Sequence, residues 1–173
     1  MNLDLSHYKV SPFVLVFLKD YDDKILFLKR SPNKEIFPGK ISGIGGKVEP
    51  GESIKNAARR EFEEETGLRI DKLLLKGTYL NVVADKGYIN ISNIFLATRY
   101  FGDLKINSDE GKLFWADPHQ IVNNPDLVNH VKHYLLQATT EESDFYSGIG
   151  VVNNWKLVQY TDNRGHFQSR KPR

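Results

Sequence analysis

One helix enclosed by β-favouring runs constrains the fold of this chain most. Ser53 is suited to cap the helix, an apolar periodicity covers residues 54–66, and Gly67 is suited to end it in a left-handed conformation. A second helical pattern covers residues 126–139. Predicted strands occupy residues 12–19, 24–30, 72–84, 88–100, 112–116, 145–152 and 155–160. Strands interrupted by two helices indicate the α/β (α+β) class, a sandwich around a mixed sheet.

Composition excludes several classes of function. The chain has no cysteine, which excludes a disulfide framework, a zinc-thiolate site and a cysteine nucleophile. Its formal net charge is only +2, so no nucleic acid or membrane surface is expected as a partner. No run approaches the roughly 18 apolar residues of a membrane helix, and no secretory-type segment is visible. We therefore expect a cytoplasmic protein that acts on a small molecule, with its oligomeric state, monomer or homodimer, left open.

The last residues differ in composition from the rest of the chain. Arg164, Arg170, Lys171 and Arg173 lie among small and polar residues with little apolar content. This pattern predicts a single domain over residues 1–160 and a basic, mobile tail over residues 161–173. Binding of nucleic acid by the tail is the alternative, although short basic ends usually carry no function.

The predicted helix carries acidic residues on the side that should be buried. On a helical wheel with Ile54 at zero, Glu61, Glu64 and Glu65 fall at roughly 340°, 280° and 20°, which overlaps the apolar sector. Carboxylates placed against a buried face repel one another and lose solvation unless a cation lies among them. Magnesium or manganese fits, because hard divalent ions prefer carboxylate and carbonyl oxygen. A solvated acidic face balanced by neighbouring basic residues is the alternative.

The spacing around this helix matches a known signature. Its fixed positions are occupied by Gly46, Glu52, Arg60, Glu61, Phe62, Glu64, Glu65, Gly67 and Leu68. This pattern resembles the Nudix box, G-x5-E-x7-R-E-U-x-E-E-x-G-U, where U is a bulky apolar residue. The glycine-rich run 39–51, the DEG at residues 109–111 and the terminal hairpin resemble the MutT-like branch of that family. The resemblance implies a Nudix-type α/β/α sandwich with one catalytic helix in a loop-helix-loop motif.

The resemblance also implies which residues hold metal. Gly45 resembles the residue whose backbone carbonyl ligates an ion, and Glu61, Glu64 and Glu65 match the carboxylates that bind Mg²⁺ or Mn²⁺. Glu110 resembles a further ligand from a loop, although it could equally be an ordinary turn residue. Glu64, or else Glu61, is expected to activate the attacking water.

Further residues are expected to support this centre. Glu52 and Arg60 are expected to form an ion pair that orients the glutamates, while Gly46 and Gly67 shape the loop and the helix end. Lys47 resembles a lysine that contacts phosphate, and Arg30 is similarly placed. Either cation could instead be a solvent-facing charge.

The same branch suggests a substrate. Ser42, Asn124 and Asp126 occupy positions that bind the base in enzymes for oxidised purines, although only the aspartate and the proline before it are retained. Asp126 is therefore expected at the base pocket, with the first turn of a helix as the alternative location. The resemblance favours hydrolysis of a nucleoside triphosphate such as 8-oxo-dGTP to the monophosphate and pyrophosphate.

Other activities have weaker support in the sequence. Hydrolysis of ADP-ribose or a dinucleoside polyphosphate is an alternative, but residues 69–117 lack the proline that ADP-ribose-cleaving members carry. A nucleotide-sensing Nudix domain without hydrolytic activity is another alternative. Such domains typically lose box glutamates, and this chain keeps them. No P-loop motif is present to indicate a kinase or P-loop NTPase.

Overall fold

The computed structural model describes residues 7–153 and 156–169. The elements in chain order are β1 (Lys9–Lys19), β2 (Ile25–Arg30), β3 (Ile41–Ser42), α1 (Ile54–Thr66), β4 (Arg69–Ile70), β5 (Leu73–Val83), β6 (Tyr88–Ala97), β7 (Tyr100–Phe101), β8 (Asn107–Ser108), β9 (Gly111–Ala116), α2 (Pro118–Ile121), α3 (Val131–Ala138), β10 (Tyr146–Asn153), β11 (Lys156–Asp162) and β12 (Phe167–Ser169). The main sheet has the order β12-β11-β10-β5-β6-β1-β2-β9-β8, with β3 paired to β2. Strands β4 and β7 form a separate small sheet.

Two apolar layers cover the faces of the main sheet. On β1, Val16 and Leu18 pack into the core cluster that contains Phe62 of α1. Phe17 points to the opposite face and packs into the cluster that contains Leu135 of α3. This alternation follows from the two-residue period of a strand. The arrangement is the predicted α/β/α sandwich around a mixed sheet, in which β1 runs parallel to β6 and antiparallel to β2.

The segment between β3 and α1 returns to the centre of this sheet. Val16 N donates to Ile44 O at 2.7 Å, and Val14 N donates to Gly46 O at 2.9 Å. These hydrogen bonds hold the glycine-rich segment beside β1, against which α1 also packs. The loop and the helix of the predicted motif are therefore fixed to the same strand.

The predicted second helix begins later than expected. Residues 126–128 extend alongside β3 instead, because Ile41 N donates to Asp126 O at 2.9 Å and Val128 N donates to Ile41 O at 3.0 Å. Helix α3 starts only at Val131. Asp126 is thus not a residue of the first helical turn, and the alternative location given for it was wrong.

The predicted boundary of the tail was also wrong. Thr161 and Asp162 complete β11, and β12 pairs back onto it. The turn between them is closed by the buried Asp162 carboxylate, which accepts hydrogen bonds from Arg164. A basic residue read as solvated is therefore bound to an internal acid. The turn predicted at Asn153 and Asn154 is described only as far as Asn153, and Arg170, Lys171 and Arg173 also lie outside the described residues.

In the described ranges, no helix is both long enough and apolar enough to cross a bilayer.

Candidate active site

Helix α1 has the bounds that the sequence predicted. The Ser53 side chain accepts a hydrogen bond from Asn56 N at 3.2 Å, and Gly67 ends the helix with φ of 76°. Ala57, Ala58 and Phe62 are buried against the sheet. This apolar face fixes the rotation of the helix, and therefore also fixes which glutamates turn inward.

The glycine loop approaches the helix too closely for side chains. Gly45 has φ of 151°, and a Cβ atom there would overlap the Val14 carbonyl oxygen of β1. A Cβ atom on Gly46 would overlap the carboxylate of Glu61. Glycine is therefore required at Gly45, where the obstacle is backbone, whereas a side chain at Gly46 would displace the Glu61 carboxylate.

Arg60 joins the loop to the helix. Its guanidinium donates to both oxygens of Glu52, at 3.0 and 2.9 Å, and to Lys47 O at 3.1 Å. It also contacts Glu61 Oε1 at 2.8 Å and Glu64 Oε2 at 3.3 Å. The hydrogen bonds to Glu52 and Glu61 raise the pKa of Arg60. The hydrogen bond from Arg60 lowers the pKa of Glu52. The structure places the predicted Arg60–Glu52 pair in contact, where it restrains two of the three box carboxylates.

Glu65 is the buried carboxylate of the site. It is 8% exposed, and its Oε2 atom has no hydrogen-bond partner among the residues that the structure describes. Burial, followed by the charges of Glu110 and Glu61, raises the pKa of Glu65 to about 8. Arg30 and the backbone of Gly45 oppose this rise. An unpaired carboxylate oxygen beside two further acids is the donor environment that a divalent cation satisfies.

Glu110 reaches the site from the start of β9. Ser31 N donates to its backbone oxygen at 2.8 Å, which ties the β8–β9 turn to the end of β2. Its carboxylate contacts Lys34 Nζ at 2.6 Å and Arg30 at 3.8 Å. Its negative charge contributes to the raised pKa of Glu65.

These acids do not form a closed cage by themselves. Within residues 7–153 and 156–169, no three acidic or histidine side chains converge closely enough to hold an ion alone. Glu61 is turned toward Arg60, Glu110 toward Lys34, and Glu64 is 60% exposed. Ion pairs with Arg60, Lys34 and Arg30 offset the negative charge of these carboxylates. The oxygen donors at Glu61, Glu65 and Glu110 fit Mg²⁺ or Mn²⁺, with the remaining positions left to water or phosphate.

The expected substrate residues are dispersed around the site. Arg30 lies at the site itself and also donates from Nε to Ile36 O at 2.9 Å. Lys47 is exposed, and Ser42 lies in β3 opposite Leu28. The Asn124 side chain accepts a hydrogen bond from Asp126 N at 2.8 Å, which fixes a turn.

Asp126 is bound to two lysines. Its carboxylate lies 3.4 Å from Lys29 Nζ and 3.5 Å from Lys40 Nζ, and the hydrogen bond from Lys29 is the main cause of its lowered pKa. This carboxylate is therefore charged and accepts hydrogen bonds only.

A cavity of about 430 Å³ lies on the α3 face of the sheet, and part of its lining comes from the loop whose Lys34 contacts Glu110. Its apolar walls include Phe37, Val83 and Leu127, and Asn81 and His130 provide polar lining. Neither Asn81 nor His130 was predicted as a site residue. The one available signal was the interruption of the apolar run at residues 80–83 by Asn81. Neither Asp126 nor Ser42 lines this cavity, although Lys40, which pairs with Asp126, does.

The glycine loop, the acidic helix and the mixed sheet together define a hydrolase domain of the loop-helix-loop type. The NUDIX domain model matches residues 9–138, and the chain belongs to this family of hydrolases.

Similar proteins and solved structures agree with this assignment. The chain is 38% identical over 123 residues to the uncharacterised Nudix hydrolase YvcI of Bacillus subtilis, covering 68% of this chain and 74% of YvcI. It is 32% identical over 140 residues to the nucleoside triphosphatase NudI of Escherichia coli, covering 74% of this chain and 90% of NudI. The MutT protein of Bacillus halodurans superposes with a TM-score of 0.79 at 25% identity, covering 90% of this chain and 99% of that protein.

Proposed function

We propose that this Nudix hydrolase cleaves a nucleoside triphosphate to the monophosphate and pyrophosphate with Mg²⁺, or alternatively Mn²⁺, as cofactor. Among such substrates we favour an oxidised purine nucleotide such as 8-oxo-dGTP. The observation that carries the proposal is the buried Glu65 carboxylate, with its unpaired oxygen beside Glu61 and Glu110. The similarity to a protein named as a nucleoside triphosphatase supports the substrate class.

The acidic side chains have distinct tasks in this proposal. Glu61, Glu64, Glu65, Glu110 and the Gly45 carbonyl would hold divalent ions. When bound, those ions supply positive charge to the phosphate oxygens and acidify the attacking water. Glu64 is the proposed proton acceptor, because its carboxylate is exposed to solvent. Glu61 is the second candidate. Arg60 keeps both within reach of the site.

The cationic side chains at the rim are suited to the polyphosphate. Arg30 lies between Glu110 and the loop that begins at Ser31, so its guanidinium borders the acidic centre. Lys47 follows the glycine loop and has an exposed side chain. Phosphoanhydride cleavage depends on charge neutralisation more than on covalent chemistry. The positive charges of Arg30 and Lys47 would add to the charge that the metal supplies.

The cavity on the α3 face would take the base. The loop of residues 31–40 borders both regions, because Lys34 contacts Glu110 and Phe37 lines the cavity. A nucleotide with its phosphates at the acidic centre therefore has a largely apolar recess next to it. Recesses of this size and composition are typical of small-molecule sites.

A substrate panel tests the proposal. Formation of the nucleotide products is followed by chromatography, with magnesium, from 8-oxo-dGTP, the ordinary dNTPs, ADP-ribose, NADH and diadenosine polyphosphates. We expect 8-oxo-dGTP to give the highest kcat/KM and EDTA to abolish turnover, which Mg²⁺ or Mn²⁺ restores. Full activity in EDTA would overturn the metal assignment. Preference for ADP-ribose or a dinucleotide would move the enzyme to another branch of the family.

A further inference from the structure

The cavity on the α3 face contains polar groups whose hydrogen bonds are not satisfied by the protein. Asn81 lines it, and its Oδ1 atom is buried without a partner in the described part of the chain. Tyr79, Asn81 and Val83 alternate along β5 and therefore share the face of the sheet on which the cavity lies. A buried amide oxygen without a partner is unfavourable for stability, which points to a ligand that completes it.

His130 is another polar residue of the lining, which also includes Glu35, Lys40 and Asn129. Its ring stacks on Tyr79 with centroids 5.1 Å apart and planes inclined by 11°, and Phe37 lies 5.9 Å away on another side. Burial lowers the pKa of His130 to about 4. The imidazole is therefore neutral near pH 7, with one nitrogen that donates and one that accepts a hydrogen bond.

Phe37 gives the cavity an aromatic wall. Its backbone adopts φ of 54°, which is uncommon for a bulky residue. This conformation places an aromatic residue beside a neutral imidazole and an unpaired amide. The combination suits a planar heteroaromatic group, which offers faces to the aromatic wall and polar atoms along its edge.

We infer that Asn81 and His130 are specificity residues that read the N7–H and C8=O edge of an 8-oxopurine, and not the N1–H and C6=O edge that guanine and 8-oxoguanine share. This inference rests on the proposed nucleotide substrate and assigns the reading to residues outside the Ser42 and Asp126 positions. A carboxamide matches such a lactam edge with two hydrogen bonds, since its oxygen accepts from N–H and its NH₂ donates to C=O. His130 supplies a third, neutral contact. The N7–H and C8=O groups of 8-oxoguanine form such an edge, whereas N7 of guanine only accepts.

Two substitutions remove these contacts while keeping the shape of the cavity. Asn81→Leu preserves most of the side-chain volume without polar atoms, and His130→Phe keeps a ring to stack on Tyr79. Asn56→Leu is the matched control, because Asn56 is exposed on α1, across the sheet from the cavity. We expect each cavity variant to lower the kcat/KM ratio of 8-oxo-dGTP over dGTP by roughly tenfold, and the control to leave it unchanged.

Two further measurements separate this inference from the proposed function. Metal-free affinities for 8-oxo-dGMP and dGMP, which have no anhydride to cleave, should show the same change in preference in the two variants. The Tm of Asn81→Leu should equal or exceed that of the wild type, because an unpaired buried oxygen is removed. Selective binding of 8-oxo-dGMP without turnover of any triphosphate would contradict the proposed function but not the inference about Asn81 and His130. The inference would be overturned if both variants were active with an unchanged kcat/KM ratio of 8-oxo-dGTP over dGTP. An unchanged ratio together with a lowered Tm in Asn81→Leu would also overturn it.

Discussion

Glu65 and Asp162 are two acids of almost equal exposure, 8% and 7%, in opposite environments. Glu65 has an unpaired oxygen and acidic neighbours, and its pKa is raised. Asp162 is surrounded by donors: Tyr160 Oη at 2.7 Å, the Arg164 guanidinium at 2.9 Å and His166 Nδ1 at 3.0 Å. Burial opposes ionisation of Asp162, but these hydrogen bonds outweigh it and lower its pKa.

The difference suggests separate tasks: Asp162 stabilises the fold, and Glu65 is the residue proposed to act in the reaction. Asp162 closes the β11–β12 turn with partners supplied by the chain, so its burial is compensated. Glu65 is held in place by the apolar face of α1, and the divalent ion proposed above would compensate its charge. A buried carboxylate without hydrogen-bond partners lowers the stability of the folded protein, and such groups are common in functional sites.

Glu65→Gln should have the largest effect. We expect turnover to fall by roughly a hundredfold or more, because an amide oxygen is a poor substitute for a charged metal ligand. Glu61→Gln should behave similarly. The matched control is Glu63→Gln, an exposed residue of the same helix, which should retain nearly full activity in a steady-state assay. Near-normal turnover in both Glu61→Gln and Glu65→Gln would remove the metal-site assignment.

Asp162→Asn should show the reverse pattern. Loss of the charge leaves Arg164 and His166 without their anionic partner, and we expect the free energy of unfolding to fall by about 2 kcal/mol. Denaturant unfolding measures this change, and kcat of the folded enzyme should stay close to that of the wild type. Asp22→Asn, at an exposed turn residue, is the control and should be neutral. A loss of kcat without loss of stability would contradict the structural role.

The two acids should also give opposite responses to pH in the metal-free protein. The pKa of Glu65 is raised from 4.5 to about 8, so stability is lost as pH rises through that window. The pKa of Asp162 is lowered from 3.8, so its contribution is lost only as pH falls below that value.

Thermal unfolding of variants measures this difference. Near pH 8.5, Glu65→Gln should raise the metal-free Tm by roughly 5 °C over the wild type, and near pH 4.5 the two should coincide. Added Mg²⁺ should stabilise the wild type at the higher pH and reverse the order. Parallel Tm curves across the whole range would show that Glu65 is not buried as an unpaired acid.

The smallest effect concerns the spacing between the glycine loop and the helix. Gly46→Ala places a methyl group against the Glu61 carboxylate, and we expect turnover to fall by about tenfold as Glu61 is displaced. Gly51→Ala is the comparison, because that site has open space but a φ of 82°. It should lower Tm slightly and leave kcat intact. Equal activity of the two variants would show that the close approach at Gly46 is not needed for catalysis.

Local chemistry made the catalytic helix predictable. Its bounds follow from the Ser53 cap and from Gly67, and the inward turn of Glu65 follows from the apolar periodicity. The Arg60–Glu52 contact could be anticipated because both residues belong to one short spaced pattern.

Long-range pairing explains what the sequence did not reveal. Residues 126–128 look helical alone but are held beside Ile41 of a distant segment. Arg164 looked like part of a solvated tail because its partner, Asp162, becomes an internal acid only when β12 folds back. The polar lining of the cavity comes from β5 and from the residue before α3, so no local pattern unites Asn81 with His130.

The parallel pairing of β1 with β6 has a consequence for the order of assembly. Lys9 faces Tyr88 and Leu18 faces Ala97, so the strand that supports the glycine loop lacks one neighbour until most of the chain is present. During synthesis, we therefore expect one apolar edge of the β1–β2 hairpin to stay unpaired until α1, β5 and β6 have been made. Closing so long a loop is slow compared with helix formation. We therefore expect α1 to form before β1 gains its second neighbour, so that its carboxylates meet the glycine loop late in folding.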